Sequence, residues 1–518
     1  MPSTSHRHPA TKLRHSAAAV LAAVVLLLGT GCSVIAPEQP REPADPAKVT
    51  NGVAEELMPF YTQDVDWKPC ENGLECAEIE VPLDYADVGG DKIKIAAIRS
   101  DAGGSAQGSI LVNPGGPGAS GYDLLRDGLQ TMFSERLRSE YDLVGFDPRG
   151  VQRSAPVTCQ TDAERDEARQ TDYNRDSDAD IERAIDDAAK LAAQCAEKTG
   201  PVLGHVDTVS AAKDMDILRA VVGDEKLNYL GFSYGTFLGA TYAGLFPERT
   251  GRMVLDGALD PALSNEQVTL GQAAAFEDAI HAYAAYCLDN DGCPMSGSVD
   301  NAVEQLRDLI RSVEESPLTA PDGRLVPVGT FVSGLLVPLY DDASWPVLTQ
   351  ALTTAFRGDP SSMLLLADAG AGRDQDGHYT NNTTDAFTAI NCLDYPMVSD
   401  LAGMRQDAKE LEQASPTIGR YLAFGGANCR DWPYEPTGER APIHAEGAAP
   451  ILVVGTTGDP ATPYEWAESM AAELQSATLL TYEGEGHTAY GRGNTCIRDA
   501  VDSYFADGTM PAEGKVCS

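Results

Sequence analysis

The sequence predicts an α/β protein in which a mostly parallel central sheet carries helices on both faces and is interrupted by a helical insertion. Three observations support this expectation. Ser109-Ile-Leu-Val112, Tyr141-Asp-Leu-Val-Gly-Phe146, Gly251-Arg-Met-Val-Leu255 and Pro450-Ile-Leu-Val-Val-Gly455 are short apolar runs of the kind found in strands covered on both faces. Amphipathic helical stretches alternate with them, as in a doubly covered parallel sheet. After about Leu259 the periodicity becomes helical throughout, and strand-like runs return only at Pro450.

The chain begins with a targeting segment. Arg7, Lys12 and Arg14 precede an apolar run from Ala17 to Leu28, too short for a confident membrane span, and Gly29-Thr30-Gly31-Cys32 follows. Small residues before Cys32 fit a lipoprotein signal, with Cys32 as the lipidated residue. The usual leucine three places before the cysteine is here Gly29, so ordinary secretion stays open. The expected organisation is a signal over 1–31, a Pro-, Glu- and Ala-rich tether over 32–55, a core over 56–260, a helical cap over 261–447 and the remaining core over 448–518.

With 38 basic and 78 acidic residues among 518, the formal charge is −40. Such a surface repels nucleic acid and anionic lipid, which excludes both as partners of the folded part; membrane attachment would come only through Cys32. Of 11 cysteines, ten remain beyond Cys32: Cys70, Cys76, Cys159, Cys195, Cys287, Cys293, Cys392, Cys429, Cys496 and Cys517. An even number in an exported chain predicts disulfides, and pairing in chain order is expected. No C-x-x-C and no histidine cluster near a cysteine occurs, so neither a metal nor another cofactor is expected.

Ala77 to Leu83 and Lys92 to Ile98 alternate like half-exposed antiparallel edge strands around Gly89-Gly90. Ser109 to Val112 opens into Asn113-Pro-Gly-Gly-Pro-Gly118, and Tyr141 to Phe146 ends in Asp147-Pro-Arg-Gly150, where Asp147 is expected to pair with Arg149. Asp207 to Val222 reads as an amphipathic helix feeding the strand Leu227 to Phe232. Within the insertion, Glu266 to Cys287, Val299 to Val313, Trp345 to Phe356 and Leu401 to Gln413 carry helical periodicity. The polar, glycine-containing run Ala369 to Thr384 is expected to be mobile. Ala477 to Tyr482 is the last core strand.

Chemistry enters at Gly231-Phe-Ser-Tyr-Gly235. A serine on a sharp turn between strand and helix can project its oxygen above a sheet only if its flanking positions are glycine, so that strand and helix can pass closely. Ser233 is the candidate nucleophile. A serine nucleophile needs a base and a carboxylate that orients it. Asp459 follows the strand at Pro450 and His487 the strand at Ala477. The order Ser233, Asp459, His487 is that of the α/β-hydrolase fold, whose site lies at the carboxyl ends of parallel strands. Among five histidines outside the signal, His205, His281, His378 and His444 lie in or near helices or loops away from a core strand end. Asp256, after the strand at Gly251, is a rival for the acid. Two backbone N–H groups are expected to bind the developing oxyanion, those of Tyr234 and Gly116.

Taken together, Asn113-Pro-Gly-Gly-Pro-Gly118, Asp147-Pro-Arg-Gly150, Gly231-Phe-Ser-Tyr-Gly235, Gly458-Asp-Pro-Ala-Thr-Pro463 and Gly486-His487 resemble the exported tripeptidyl aminopeptidases of actinobacteria, relatives of prolyl aminopeptidases. Asn113-Pro114 stands where prolyl aminopeptidases usually have a histidine, which favours the tripeptidyl branch. The resemblance implies metal-free hydrolysis of a peptide bond near a free N-terminus through an acyl-enzyme on Ser233. It also implies an anchor for the substrate ammonium, expected at Asp394 in Asn391-Cys-Leu-Asp394. A carboxylesterase or acyl-lipid hydrolase would use the same groups, and a catalytically inactive surface-binding protein would use the fold alone. A broad apolar groove over Ser233 would favour esters, and converging carboxylates would favour peptides. The expected partner is a small peptide or ester, with a monomer favoured.

Overall fold

The structure is a computed structural model and describes residues 45–104 and 106–518. The signal, Cys32 and most of the tether lie outside the described residues.

Ten strands form one sheet among the described residues: β1 (Lys68–Pro69), β2 (Glu75–Pro82), β3 (Lys92–Ser100), β4 (Ser109–Asn113), β5 (Asp142–Phe146), β6 (Leu227–Phe232), β7 (Thr250–Asp256), β10 (Ile451–Gly458), β11 (Ala477–Glu485) and β12 (Val516–Cys517). Their order is β1-β2-β3-β5-β4-β6-β7-β10-β11-β12. β1, β2 and β3 join antiparallel, β3 meets β5 antiparallel, and every pairing from β5 to β12 is parallel. Burial follows composition. Every residue of β4 and β5 is buried, whereas β2 alternates, with Ile79 and Val81 inward and Glu78 and Glu80 outward. Across the β2–β3 pair those acids meet Lys94 and Lys92 at 2.6 and 3.2 Å.

Between β7 and β10 lie helices Asn265–Asp289, Val299–Glu315, Val328–Leu336, Trp345–Ala355, Ser361–Gly370, Thr383–Asp394 and Leu401–Ala414, with a cluster of their own around Ile280, Leu306, Phe331 and Leu348. Three of them, at Val328, Ser361 and Thr383, were not expected. Val328–Leu336 is apolar on nearly every side and so shows no polar face, and Thr383–Asp394 starts inside a polar stretch. A two-residue hairpin, β8 (Leu318–Thr319) with β9 (Leu325–Val326), also interrupts the helices. The run 369–384, expected to be mobile, is tied down. Arg373 pairs with Asp166 at 2.7 Å, Tyr379 donates to Asp166 at 2.8 Å, and Asn382 Nδ2 donates to the carbonyls of Gly150 and Val157.

Helix Thr208–Val221 packs against the helix Tyr234–Leu245 that follows β6, and it carries two buried carboxylates. Asp214 accepts from Arg149 Nε and Nη2, each at 2.7 Å, and the other Arg149 donors reach the carbonyls of Pro82, Leu83 and His205. All five guanidinium donors are thereby satisfied, which is the condition under which a buried charge is tolerated. This corrects the expected Asp147–Arg149 pair: Asp147 bonds Ser120 and pairs with Arg153 at 2.9 Å. Asp216, three residues before Arg219, accepts from Arg219 Nε at 2.7 Å and from the hydroxyls of Tyr61 and Tyr242.

Five disulfides join neighbours in chain order: Cys70–Cys76, Cys159–Cys195, Cys287–Cys293, Cys392–Cys429 and Cys496–Cys517. The fourth fastens helix Thr383–Asp394 to the segment that covers its end.

Replacing Asp214 by Ala leaves Arg149 buried and unpaired, and should cost about 3–5 kcal/mol. Lys94→Ala, which removes an exposed and solvent-screened pair, should leave the denaturation midpoint nearly unchanged. Urea denaturation of the two variants beside the parent checks the contrast; equal shifts would contradict it.

Candidate active site

β6 ends at Phe232, and Ser233 has φ 56° and ψ −127° before the helix Tyr234–Leu245 begins. A non-glycine residue holds that conformation only where its surroundings fix it. Here the Ser233 N–H donates to the Asp256 carbonyl at 2.9 Å, and the Ser233 carbonyl accepts from Thr236 N–H at 2.8 Å and Thr236 Oγ1 at 2.6 Å. The flanking glycines are sterically required. A Cβ on Gly231 would stand 2.4 Å from the Gly235 carbonyl oxygen, and one on Gly235 would stand 2.8 Å from Asn113 Oδ1.

The turn after β4 lies against this elbow. A Cβ on Gly115 would stand 2.4 Å from the Phe232 oxygen and 3.0 Å from the Tyr234 nitrogen. Asn113 Oδ1 accepts from the Gly115 N–H at 2.9 Å and holds the turn. Gly116 and Tyr234, whose N–H groups were expected to face an oxyanion, line the same cavity as Ser233.

Asp459 follows β10 and His487 follows β11, and the sheet brings them together. His487 Nδ1 lies 2.8 and 2.9 Å from the two Asp459 oxygens. Burial works to raise the Asp459 carboxyl, but the His487 ring and the N–H groups of Thr462 and Thr488 hold it below the ordinary value. An ionised carboxylate only accepts, so Nδ1 carries the proton of this contact and Nε2 is the ring nitrogen not engaged by Asp459. Asp256, the rival acid, does not bond the histidine ring. It accepts from the N–H groups of Ala489 and Tyr490, at 3.0 and 2.7 Å, two and three residues beyond His487. Burial pushes Asp256 up to about 6.

Two neighbours of the histidine were not singled out in the sequence: Thr462, inside the Gly458–Pro463 motif, and Tyr340, which carried no recognisable signal. Thr462 Oγ1 donates to Asp459 Oδ2 at 3.1 Å and lies 3.3 Å from His487 Nδ1. Tyr340, 147 positions earlier in the chain, packs edge-on to the His487 ring at 5.4 Å, and its carbonyl accepts from the His487 N–H at 2.8 Å. Only the fold makes Tyr340 a neighbour of His487.

The cavity over Ser233 measures about 230 Å³. Helix Asn265–Asp289 walls it with Asn265 and Gln272, helix Thr383–Asp394 with Asn391, and the disulfide-tied segment with Asn428. No carboxylate is among its lining residues as described. Asp394 is therefore corrected as an ammonium anchor: it is 2% exposed, lies outside the lining, and turns toward helix Thr208–Val221. There its Oδ1 accepts from Thr208 N–H at 2.9 Å and its Oδ2 from Thr208 Oγ1 at 2.5 Å. Asn391 and Tyr395, four residues apart, both line the cavity. Asp394 is the last residue of its helix, Tyr395 is already extended, and the Asp394 carboxyl is drawn away from the cavity by its two bonds to Thr208.

Burial pushes Asp394 from an ordinary 3.8 up to about 7. The folded state thus holds this proton more tightly than the unfolded chain. The stability it contributes is complete below about pH 4 and is lost as pH rises through 7. The stability of Asp394→Asn relative to the parent should accordingly rise by about 2–3 kcal/mol between pH 5 and pH 8. Denaturation at both pH values checks this; a pH-independent difference would contradict the assigned burial cost.

The chain matches known proteins along most of its length. The family model for TAP-like protein matches residues 415–517, which include Asp459 and His487. Serine protease Hip1 of Mycobacterium tuberculosis is 37% identical, covering 96% of both chains. Carboxylesterase B of the same species is 36% identical over 89% of this chain and 91% of its own. Tripeptidyl aminopeptidase of Streptomyces lividans is 31% identical over 88% of this chain and 86% of its own. With the sheet order, the strained serine elbow and these relatives in hand, the chain belongs to the tripeptidyl aminopeptidase-like family of α/β-hydrolases and is a serine hydrolase.

Proposed function

We propose that the protein is an exported serine exopeptidase that removes short peptides, di- or tripeptides, from free N-termini, with Ser233, Asp459 and His487 as its triad and 261–447 as its cap. His487 Nε2 takes the Ser233 proton as Oγ attacks the carbonyl, and the N–H groups of Tyr234 and Gly116 meet the oxyanion. His487 then returns the proton to the leaving amine, and water releases the acyl group by the same steps. Export is supported by the five disulfides, which persist in oxidising compartments. Cys32 remains the proposed anchor.

The converging carboxylates that would favour peptides are absent from the described lining, so the peptide reading is carried by the amides of that lining and supported by the peptidase relatives. Asn265, Gln272, Asn391 and Asn428 present amide donors and acceptors side by side in a small space against Ser233. A peptide backbone pairs with such groups, whereas an acyl chain leaves them desolvated and unpaired at about 1–3 kcal/mol each. The esterase reading has support of its own in Leu259, Val268, Phe387 and Met397 on the same walls and in the carboxylesterase name of one relative.

Three substrates separate the two: a chromogenic tripeptide amide with a free N-terminus, its N-acetylated form and a short nitrophenyl ester. The proposal expects cleavage of the free amide and loss of at least about 100-fold in kcat/KM on acetylation, about 2.7 kcal/mol. Rapid ester cleavage with neither amide touched would make the protein an esterase.

A further inference from the structure

Behind the cavity, a chain of buried groups runs from the insertion to the residue beside the nucleophile. Asp394, the last residue of helix Thr383–Asp394, accepts both the N–H and the hydroxyl of Thr208, the first residue of helix Thr208–Val221. The Thr208 hydroxyl also bonds the phenol of Tyr234, the first residue of the elbow helix. When Asp394 is ionised, the single hydroxyl proton of Thr208 goes to the carboxylate at 2.5 Å, and the phenol is then the donor in the other bond. Tyr234 is buried, and this bond fixes where its ring stands.

We propose that Asp394 is a positioning residue that acts through Thr208 to fix the Tyr234 phenol, and so holds the backbone N–H next to Ser233. The proposal rests on the reading of Ser233 as nucleophile and of the Tyr234 N–H as an oxyanion donor. A second, independent contact joins the same two regions. The Tyr234 ring meets Phe237 edge-on at 6.1 Å, and the Arg440 guanidinium lies over Phe237 at 3.9 Å and over Tyr395 at 4.2 Å. Asp394 and Tyr395, adjacent in sequence, thus reach the elbow helix by two routes, one hydrogen-bonded and one stacked. The Cys392–Cys429 disulfide fastens this stretch from the other side.

The arrangement has a functional consequence. Asn391 and Tyr395 line the substrate cavity while Asp394 bonds Thr208, which bonds Tyr234 beside Ser233, so the lining of the insertion and the oxyanion donor are held in one register. Loosening the phenol shifts a preset donor, and displacement of about 1 Å costs on the order of 100-fold in rate.

The test compares Thr208→Val, Thr208→Ser, Tyr234→Phe and the Thr208→Val/Tyr234→Phe double variant with the parent. Kinetics are read on whichever of the tripeptide amide and the ester the parent cleaves, and melting temperatures are read alongside. Thr208→Val and Tyr234→Phe should each lower kcat by roughly 10- to 100-fold with KM changed less than about threefold. Thr208→Ser, which keeps the hydroxyl, should return to within about twofold of the parent. The double variant should be no slower than the slower single one, as expected of groups acting as one unit. Parent kcat in Thr208→Val, an equal loss in Thr208→Ser, or additive losses in the double variant would each overturn the proposal, as would a lowered melting temperature at unchanged kcat. A parent that cleaves the ester alone would remove the peptidase reading and still allow this comparison.

Discussion

The site depends on a close approach of backbone to backbone. Strand β6 and the helix after Ser233 can cross only because neither Gly231 nor Gly235 carries a Cβ, and the β4 turn can lie against them only because Gly115 carries none. Two elements joined at Ser233 and a turn far from them in sequence are pressed together at distances that forbid any side chain. That pressure holds Ser233 at a positive φ, and it puts Gly116 and Tyr234 in the wall of the cavity where a substrate carbonyl would sit. The parallel sheet supplies the rest, because β10 and β11 end at the same edge and deliver Asp459 and His487 to each other.

Buried carboxylates cluster around that crossing, and their surroundings set them apart. Asp459 is held ionised by the histidine ring and by backbone donors, which suits a group that must stabilise an imidazolium. Asp256 grips the backbone just beyond His487, and its carbonyl holds the Ser233 N–H, so one residue touches both the nucleophile turn and the histidine loop. Asp214 and Asp216 neutralise arginines under the elbow helix, and Asp394 engages Thr208 above it. Each has satisfied partners, which is why so many acids can lie inside a chain whose surface is already strongly negative.

Much of this was legible in the sequence, and the failures have physical reasons. The strands buried on both faces declared themselves by unbroken apolar runs, and the glycines around Ser233 by spacing. The disulfides follow chain order because each pair closes a local loop. Asp394 was misplaced because sequence spacing locates a residue on a helix but not the direction in which that helix faces. Asp147 was given to Arg149 because the two are adjacent, whereas the fold offered Arg149 a better partner in Asp214, 65 positions away. Tyr340 could not be found at all: its only tie to His487 is through space, and nothing local in its sequence marks it.

The central claim is that Ser233 is a nucleophile activated by His487. The most direct test reacts the parent, Ser233→Ala and His487→Ala with a serine-directed fluorophosphonate and locates the adduct by mass spectrometry of the digested protein. The account expects one adduct on the parent, on Ser233, no adduct on Ser233→Ala, and strongly slowed labelling of His487→Ala. Labelling of Ser233→Ala at the parent rate, or an adduct on any other residue of the parent, would contradict it.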